Sequence, residues 1–172
     1  MIYLDCGFYR GVALKKNIED GVVTSDCKVY VWEPNPEFNI KELVKSFPVK
    51  IKAYDKAVWI KDGKMNLNLG AFNNAASIIV PYKDNGSLEV KTMDFSKFVS
   101  KLPDDYILCN MDIEGAEFDV LEKMIKDGTI KKINKLEAEF HDRLVQDKTE
   151  DDTRELMKRL EENGVEVVNK LW

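Results

Sequence analysis

Acidic side chains recur where apolar runs stop. Asp5 follows Ile2-Tyr3-Leu4, Glu33 follows the run from Lys28 to Trp32, and Asp112 follows Tyr106 to Met111, with Glu114 two positions on. Glu139 and His141, the single histidine of the chain, close a further run. Open α/β sheets bind ligands outside the carboxyl ends of their strands, where the winding reverses, so these side chains predict an acidic site. The turn after Asp5 carries Gly7 and Gly11, which let a backbone approach a ligand and enter a helix. An ordinary turn is the plain alternative, since glycines follow strands in many folds. Glu33 suits a bidentate hydrogen bond to the 2′- and 3′-hydroxyls of a ribose; the plain alternative is a solvated charge at a strand end.

Charge narrows the ligand. A dinucleotide loop reads G-x-G-x-x-G and rests a pyrophosphate on a helix N-terminus. Here the loop reads D-x-G-x-x-x-G, Asp5 would repel a pyrophosphate, and the spacing from Gly7 to Glu33 exceeds the about 20 residues expected. S-adenosylmethionine carries an ammonium and a sulfonium but no phosphate, and suits a carboxylate-lined pocket by Coulomb attraction. Methyl transfer from it is an in-line displacement in which the enzyme aligns an acceptor and removes its proton. His141 is a candidate base because its charge changes near neutral pH, although a lone histidine is often structural. Glu114 and Glu139 are the other candidates. Glu114 and Glu117 also lie in a helix's first turn, where the dipole favours carboxylates whatever the function. Asp112 and Glu139, ending adjacent strands, offer oxygen ligands suited to Mg²⁺.

The elements that must position these groups follow from periodicity. After the first strand and a short helix from Val12 to Asn17, Lys28 to Trp32 reads as a second strand. Asn39 stands at an N-cap position before Ile40, Leu43, Val44 and Phe47, a helical face ended by Pro48, and Val49 to Ala53 makes a third strand. Residues 57–93 break the rhythm with short strands at 58–60, 65–69, 77–80 and 88–92, read as β-hairpins beside the sheet. Asp94 caps a helix faced by Phe95, Phe98, Val99 and Leu102. Tyr106 to Met111 is the fourth strand, followed by a helix with Phe118, Leu121 and Ile125 facing inward and Gly128 at its end. In the fifth strand, 133–140, Leu136, Ala138 and Phe140 alternate with Lys135, Glu137 and Glu139, so one face is wet or lies in a cleft, and Glu137 suggests a place near the sheet edge. Thr149 with Asp152 forms a capping box for a helix through Leu156 and Leu160, and Val165 to Val168 is the last strand.

At 172 residues the chain fits one domain, 1–172, and no repeat or linker divides it. No apolar run approaches the about 20 residues that span a bilayer. The N-terminus lacks a secretory pattern, and the three cysteines are odd in number and widely spaced, which predicts reduced thiols and a cytoplasmic location. A net charge of −5 without a basic stripe disfavours nucleic-acid partners.

The segments DCGFYRG at 5–11, VWEPNP at 31–36, DKAVW at 55–59, TMD at 92–94, NMDIEGAE at 110–117 and EFH at 139–141 resemble, in that order, the blocks of FkbM-type methyltransferases. The resemblance covers about residues 2–141. It implies a Rossmann-like methyltransferase fold, a mostly parallel sheet with flanking helices and a β-hairpin insertion. It further implies S-adenosylmethionine as cofactor and O-methylation of a sugar or other small-molecule hydroxyl, so that a small-molecule or glycan acceptor is the expected partner. By the same resemblance Asp5, Gly7, Tyr9 and Gly11 would hold the methionine part, Glu33 the ribose, Asp55 and Lys56 the surroundings of the adenine, and Asp112 the methyl-bearing side. Asn110 stands where the family often has Lys. The chain starts on the first strand and ends at the sixth, a minimal version without N-terminal helices or a last antiparallel strand, and a homo-oligomer that covers the acceptor is one expectation. The competing classes are a non-catalytic cofactor-binding or partner module, a nucleic-acid methyltransferase, and an NAD-dependent oxidoreductase; the fourth strand ends in NMDI, without the Pro-Pro-aromatic pattern of amino-methylating DNA enzymes.

Overall fold

The computed structural model describes residues 1–70, 75–82 and 86–170. Residues 71–74 and 83–85 of the insertion, and 171–172, lie outside the described residues. Six strands form a wholly parallel sheet: β1 (Ile2–Cys6), β2 (Lys28–Trp32), β3 (Ile51–Tyr54), β8 (Ile107–Met111), β9 (Lys135–Ala138) and β10 (Glu166–Asn169). They lie side by side as β10-β9-β8-β1-β2-β3. Counted along the chain this is the order 6-5-4-1-2-3 of a doubly wound sheet, and its switch point falls between β1 and β8.

The strand period of two divides the core. Ile2, Leu4 and Cys6 of β1 face one side with Cys109, Met111 and Leu136. There they meet α3 (Phe95–Val99), α4 (Glu117–Lys126) and α5 (Glu150–Glu162) through Phe95, Phe118, Leu121 and Leu156. Tyr3 points the other way, toward Phe8 and toward Leu14 of α1 (Val12–Glu19). β1 and β8 are buried along their whole length, as the central strands of a sheet covered on both faces must be. Caps read from sequence form as expected: Asp94 accepts from the amide of Lys97 at 2.9 Å. Thr149 and Asp152 make a reciprocal capping box.

Two segments depart from the sequence reading. The helix after Asn39 is α2 (Ile40–Leu43) followed by a 3₁₀ turn, Val44–Ser46, and not one helix to Phe47. Asn39 sits at φ 39° with no capping side-chain bond; the cap in this stretch is Asn35, whose Oδ1 accepts from the amide of Glu37 at 3.1 Å ahead of the 3₁₀ turn Pro36–Phe38. The run at 77–80 contributes only β6 (Ala76–Ser77), because the Ser77 hydroxyl takes the amides of Ile79 and Val80 at 3.1 and 2.9 Å and bends the chain away. The insertion is nevertheless a sheet, β4-β7-β5-β6, in which β5 (Gly63–Leu69) and β7 (Ser87–Asp94) are antiparallel and β4 (Ala57–Trp59) runs parallel to β7. Trp32, at the end of β2, ties this sheet to the first: its ring stacks on Tyr54 at 5.2 Å and its Nε1 donates to Met93 Sδ at 3.2 Å.

The wet face of the fifth strand is present. Leu136 and Ala138 are buried, whereas Lys135 and Glu137 stay partly exposed and join an ion ladder. Lys135 lies 3.2 Å from Glu137 and 3.5 Å from Glu166, and Glu137 lies 2.7 Å from Lys170. β9 is one strand in from the edge, so the ladder lets that sheet face meet water.

Candidate functional site

Where β1 and β8 part, the two following turns touch. Gly7 has φ 83°, and a Cβ there would overlap the carbonyl oxygen of Asp112, so the residue must be glycine because one backbone lies on another. The amides of Gly7 and Phe8 donate to the Trp32 carbonyl at 3.1 and 2.9 Å, and the Asp112 amide donates to the Cys6 carbonyl at 2.9 Å, which fixes the loop. Gly11 begins α1 at φ 73°, and a Cβ there would meet the rings of Phe47 and Phe8; it does not line the crevice.

On one side of the contact a crevice is lined by Gly7, Tyr9, Glu33, Asp112 and Glu114 with apolar walls from Ala57 and Val58. On the other side it runs past Gly7, Tyr9 and Asp112 to Asn110, Glu139 and Lys170. Glu33 is buried, and its two oxygens accept the amides of Tyr9 at 2.7 Å and Asn35 at 2.8 Å. Burial pushes its carboxyl up to about 7 against those two bonds. Asp5 lies beneath the glycine turn without lining the crevice; its Oδ1 accepts from Asn110 Nδ2 at 2.8 Å, while its Oδ2 is buried with no hydrogen-bond partner among the described residues. Burial also lifts Asp5 to about 7. Tyr9, at φ 48°, packs its ring edge-on against Phe38 at 4.8 Å. Asp55 and Lys56 line neither side: the Asp55 carboxylate pairs with Lys41 at 3.0 Å on the surface, and the next residues, Ala57 and Val58, supply the wall.

His141 stands at the centre of four carboxylates. Its Nδ1 is 3.1 Å from Glu117 Oε1, and its Nε2 is 3.6 Å from Glu139, 3.8 Å from Asp112 and 3.8 Å from Glu114. Glu117 is fully buried and also accepts the amides of Ile113 at 2.8 Å and Gly115 at 2.9 Å, so one side chain folds the Asp-Ile-Glu-Gly turn and orients the imidazole. Glu114, at φ 53°, is held by the Tyr82 hydroxyl at 2.9 Å. Burial alone would lower the His141 pKa, but the Glu117 hydrogen bond and the charges of Glu117, Glu114 and Asp112 outweigh it and lift it to about 9. His141 is therefore an imidazolium at neutral pH. Burial raises Asp112 to about 7 despite His141, with Glu139, Glu114 and Glu117 adding to the rise, and Glu139 is raised for the same reasons. Asp112, Glu117 and His141 each place a potential metal ligand within 4.8 Å of the others.

The structure thus gathers Gly7, Tyr9, Glu33, Asp112, Glu114 and Glu139 along the crevice, with Asp5 below it and His141 behind Asp112, Glu114 and Glu139 in an adjoining cavity, and leaves Gly11, Asp55 and Lys56 outside. Glu117 and Lys170 escaped the sequence reading. A Glu in a helix's first turn carries no mark of burial, and a lysine near the end of a chain carries no mark of where its ammonium reaches.

A doubly wound parallel sheet with an acidic crevice at its switch point defines the class as a Rossmann-like α/β fold. Within that class the chain belongs to the Methyltransferase FkbM domain family, whose model matches residues 5–167. Among solved structures it is similar to Methyltransferase FkbM from Methylobacillus flagellatus KT, at 14% identity and a TM-score of 0.48, over 76% of this chain and 30% of that one. The chain therefore spans less than a third of that protein's length. No curated protein matches it. No helix among the described residues is long and apolar enough to cross a membrane.

Proposed function

We propose that the crevice binds S-adenosylmethionine and that the protein moves its methyl group to a hydroxyl of a sugar or other small molecule, in the cytoplasm. The observation that carries this reading is the sign of the charge at the switch point: Glu33 and Asp112 line the crevice and Asp5 lies directly below. The residues fit the cofactor. Ala57 and Val58 offer an apolar wall for an adenine, Glu33 keeps lone pairs for two ribose hydroxyls beyond its two amide bonds, and Asp5 and Asp112 favour the cationic end. When bound, the cofactor supplies a methyl carbon already activated by a sulfonium. The chain's own residues then align and deprotonate the acceptor. Asp112 and Glu139, both lining the crevice past Gly7 and both raised, receive the acceptor hydroxyl and its proton. His141, already protonated and oriented by Glu117, attracts both carboxylates and offsets their mutual repulsion.

Calorimetry with S-adenosylhomocysteine and with NAD tests the reading. Binding of the first and not the second, lost in Glu33→Ala, is expected; preference for NAD, or full affinity in Glu33→Ala, would overturn it. A second reading rests on the grouping around His141: Asp112, Glu117 and the imidazole place ligand atoms within 4.8 Å of one another, and a divalent cation that displaced the imidazolium proton would find there a mixed oxygen and nitrogen site to orient acceptor hydroxyls.

A further inference from the structure

One cation enters the crevice from the end of the chain. Lys170 follows β10 and is tethered there by its amide, which donates to the Ala138 carbonyl at 2.8 Å. Its ammonium lies 2.7 Å from Glu137 Oε2 on β9 and 3.0 Å from Asn110 Oδ1 on β8. On the far side of the same amide, Asn110 Nδ2 donates to Asp5 Oδ1 at 2.8 Å. A polar chain therefore runs from Glu137 through Lys170 and Asn110 to Asp5, across the ends of β9, β10, β8 and β1.

The chemistry of the groups gives this chain a direction. An ammonium only donates, so the Asn110 amide must present its oxygen to Lys170, and its NH₂ is then aimed at Asp5. We infer that Lys170 is a positioning residue: it fixes which way the Asn110 amide faces and, through that amide, holds Asp5 in its charged form beneath the glycine turn. This deepens the reading of the crevice as the site of a cationic methyl donor and rests on it. Asp5 is 1% exposed and its Oδ2 has no hydrogen-bond partner among the described residues, so its charge depends on few supports. The ionisable groups that face it are Tyr3 on β1, Glu33 at the end of β2 and Lys170 beyond Asn110. From α1, the Asn17 amide touches the Tyr3 hydroxyl at 3.4 Å, and Lys16 and Asp20 share a cavity with Glu137 and Lys170 at the other end of the polar chain. Burial raises Asp5 and Glu33 adds to the rise, while the Asn110 bond, Lys170 and Tyr3 oppose it. Without Lys170 the amide is free to turn its oxygen on Asp5, which must then take up a proton to avoid two acceptors in contact.

Removing Lys170 has a second effect of opposite sign. Its ammonium repels a cationic ligand in the adjoining crevice, and losing that repulsion would raise affinity at every pH alike. A pH profile therefore separates the two effects. The experiment is ¹³C NMR of aspartate carboxyls in the parent, Lys170→Met and Lys170→Arg, with the Asp5 signal assigned by Asp5→Asn, alongside calorimetry with S-adenosylhomocysteine from about pH 6 to about pH 9. In Lys170→Met the Asp5 titration should move alkaline by about one pH unit, and Lys170→Arg should restore it. Affinity should fall about three- to tenfold near neutral pH and recover at the alkaline end. An Asp5 titration that is the same in the parent and Lys170→Met overturns the inference. If the parent binds no S-adenosylhomocysteine while Asp5 still moves, the cofactor reading fails and the positioning role stands. Should Lys170→Met not fold, Asn110→Ala breaks the same link with the Lys170–Glu137 pair in place, and an unmoved Asp5 there overturns the inference equally.

Discussion

Glu117→Gln isolates what a single buried carboxylate does for this site. Glu117 is fully buried, and its two oxygens serve three donors: the amides of Ile113 and Gly115 and the Nδ1 of His141. A glutamine fills the same space but turns an NH₂ toward one of those donors and removes the hydrogen bond that does most to raise His141. The step in His141 from its ordinary 6.5 to about 9 favours the imidazolium in the folded protein by about 3 kcal/mol, at about 1.4 kcal/mol per pH unit. Because the folded pKa is the higher one, this stabilisation is full below 6.5 and is lost as pH rises through about 9. Adding a buried amide left without its acceptor, Glu117→Gln should lose about 3–5 kcal/mol at pH 7. His141 is the only histidine, so its ring-proton signal in ¹H NMR needs no assignment and reports the pKa directly. The parent signal should titrate near 9 and the variant signal well below it, and urea unfolding should show the fall in stability between about pH 7 and about pH 9 in the parent alone. A parent histidine that titrates near 6.5 refutes the reasoning, and with it the assignment of proton removal to the carboxylates.

Three further outcomes follow from the same geometry. Gly7→Ala places a methyl group on the Asp112 carbonyl at a positive φ, so it should cost about 2–4 kcal/mol in urea unfolding and abolish S-adenosylhomocysteine binding in calorimetry. Glu33 is raised from 4.5 to about 7, so its part of the free protein's stability should fall as pH rises from 4.5 through about 7, and Glu33→Gln should flatten that stretch of the stability profile. If the His141 cluster takes a divalent cation, Mn²⁺ titrated into the parent should broaden the His141 ring signal at stoichiometric amounts and leave it unbroadened in Asp112→Asn; broadening that needs large excess in both proteins removes the second reading.

Much of the frame was legible from residue order. The apolar runs before Asp5, Glu33 and Asp112 are the central strands β1, β2 and β8, because strands covered on both faces have to be nearly continuously apolar; Glu33 and Asp112 follow the last residues of β2 and β8, whereas Asp5 lies within β1 and is itself buried. The alternation of Lys135, Leu136, Glu137 and Ala138 likewise predicted a half-wet strand, and the ion ladder on β9 is its structural counterpart. The misjudged stretches are those where a short-range polar bond competes with periodicity. Ser77 bends the chain after β6 with its own hydroxyl, and Asn35 takes the capping place expected of Asn39.

Sequence by itself determined which segments could be strands and where the acidic residues, with their formal charge, would emerge relative to them. Those properties depend on neighbours along the chain, on side-chain period and on formal charge. Only the tertiary structure decided that Glu117 is buried and bonded to His141, that Gly7 is needed because Asp112 lies against it, and that Lys170 reaches Asn110 across β9. Each of these depends on a distance between residues far apart in the chain. The rise in the His141 pKa depends on four such distances at once, so the one residue whose type suggested a base is surrounded by charges that favour its protonated form.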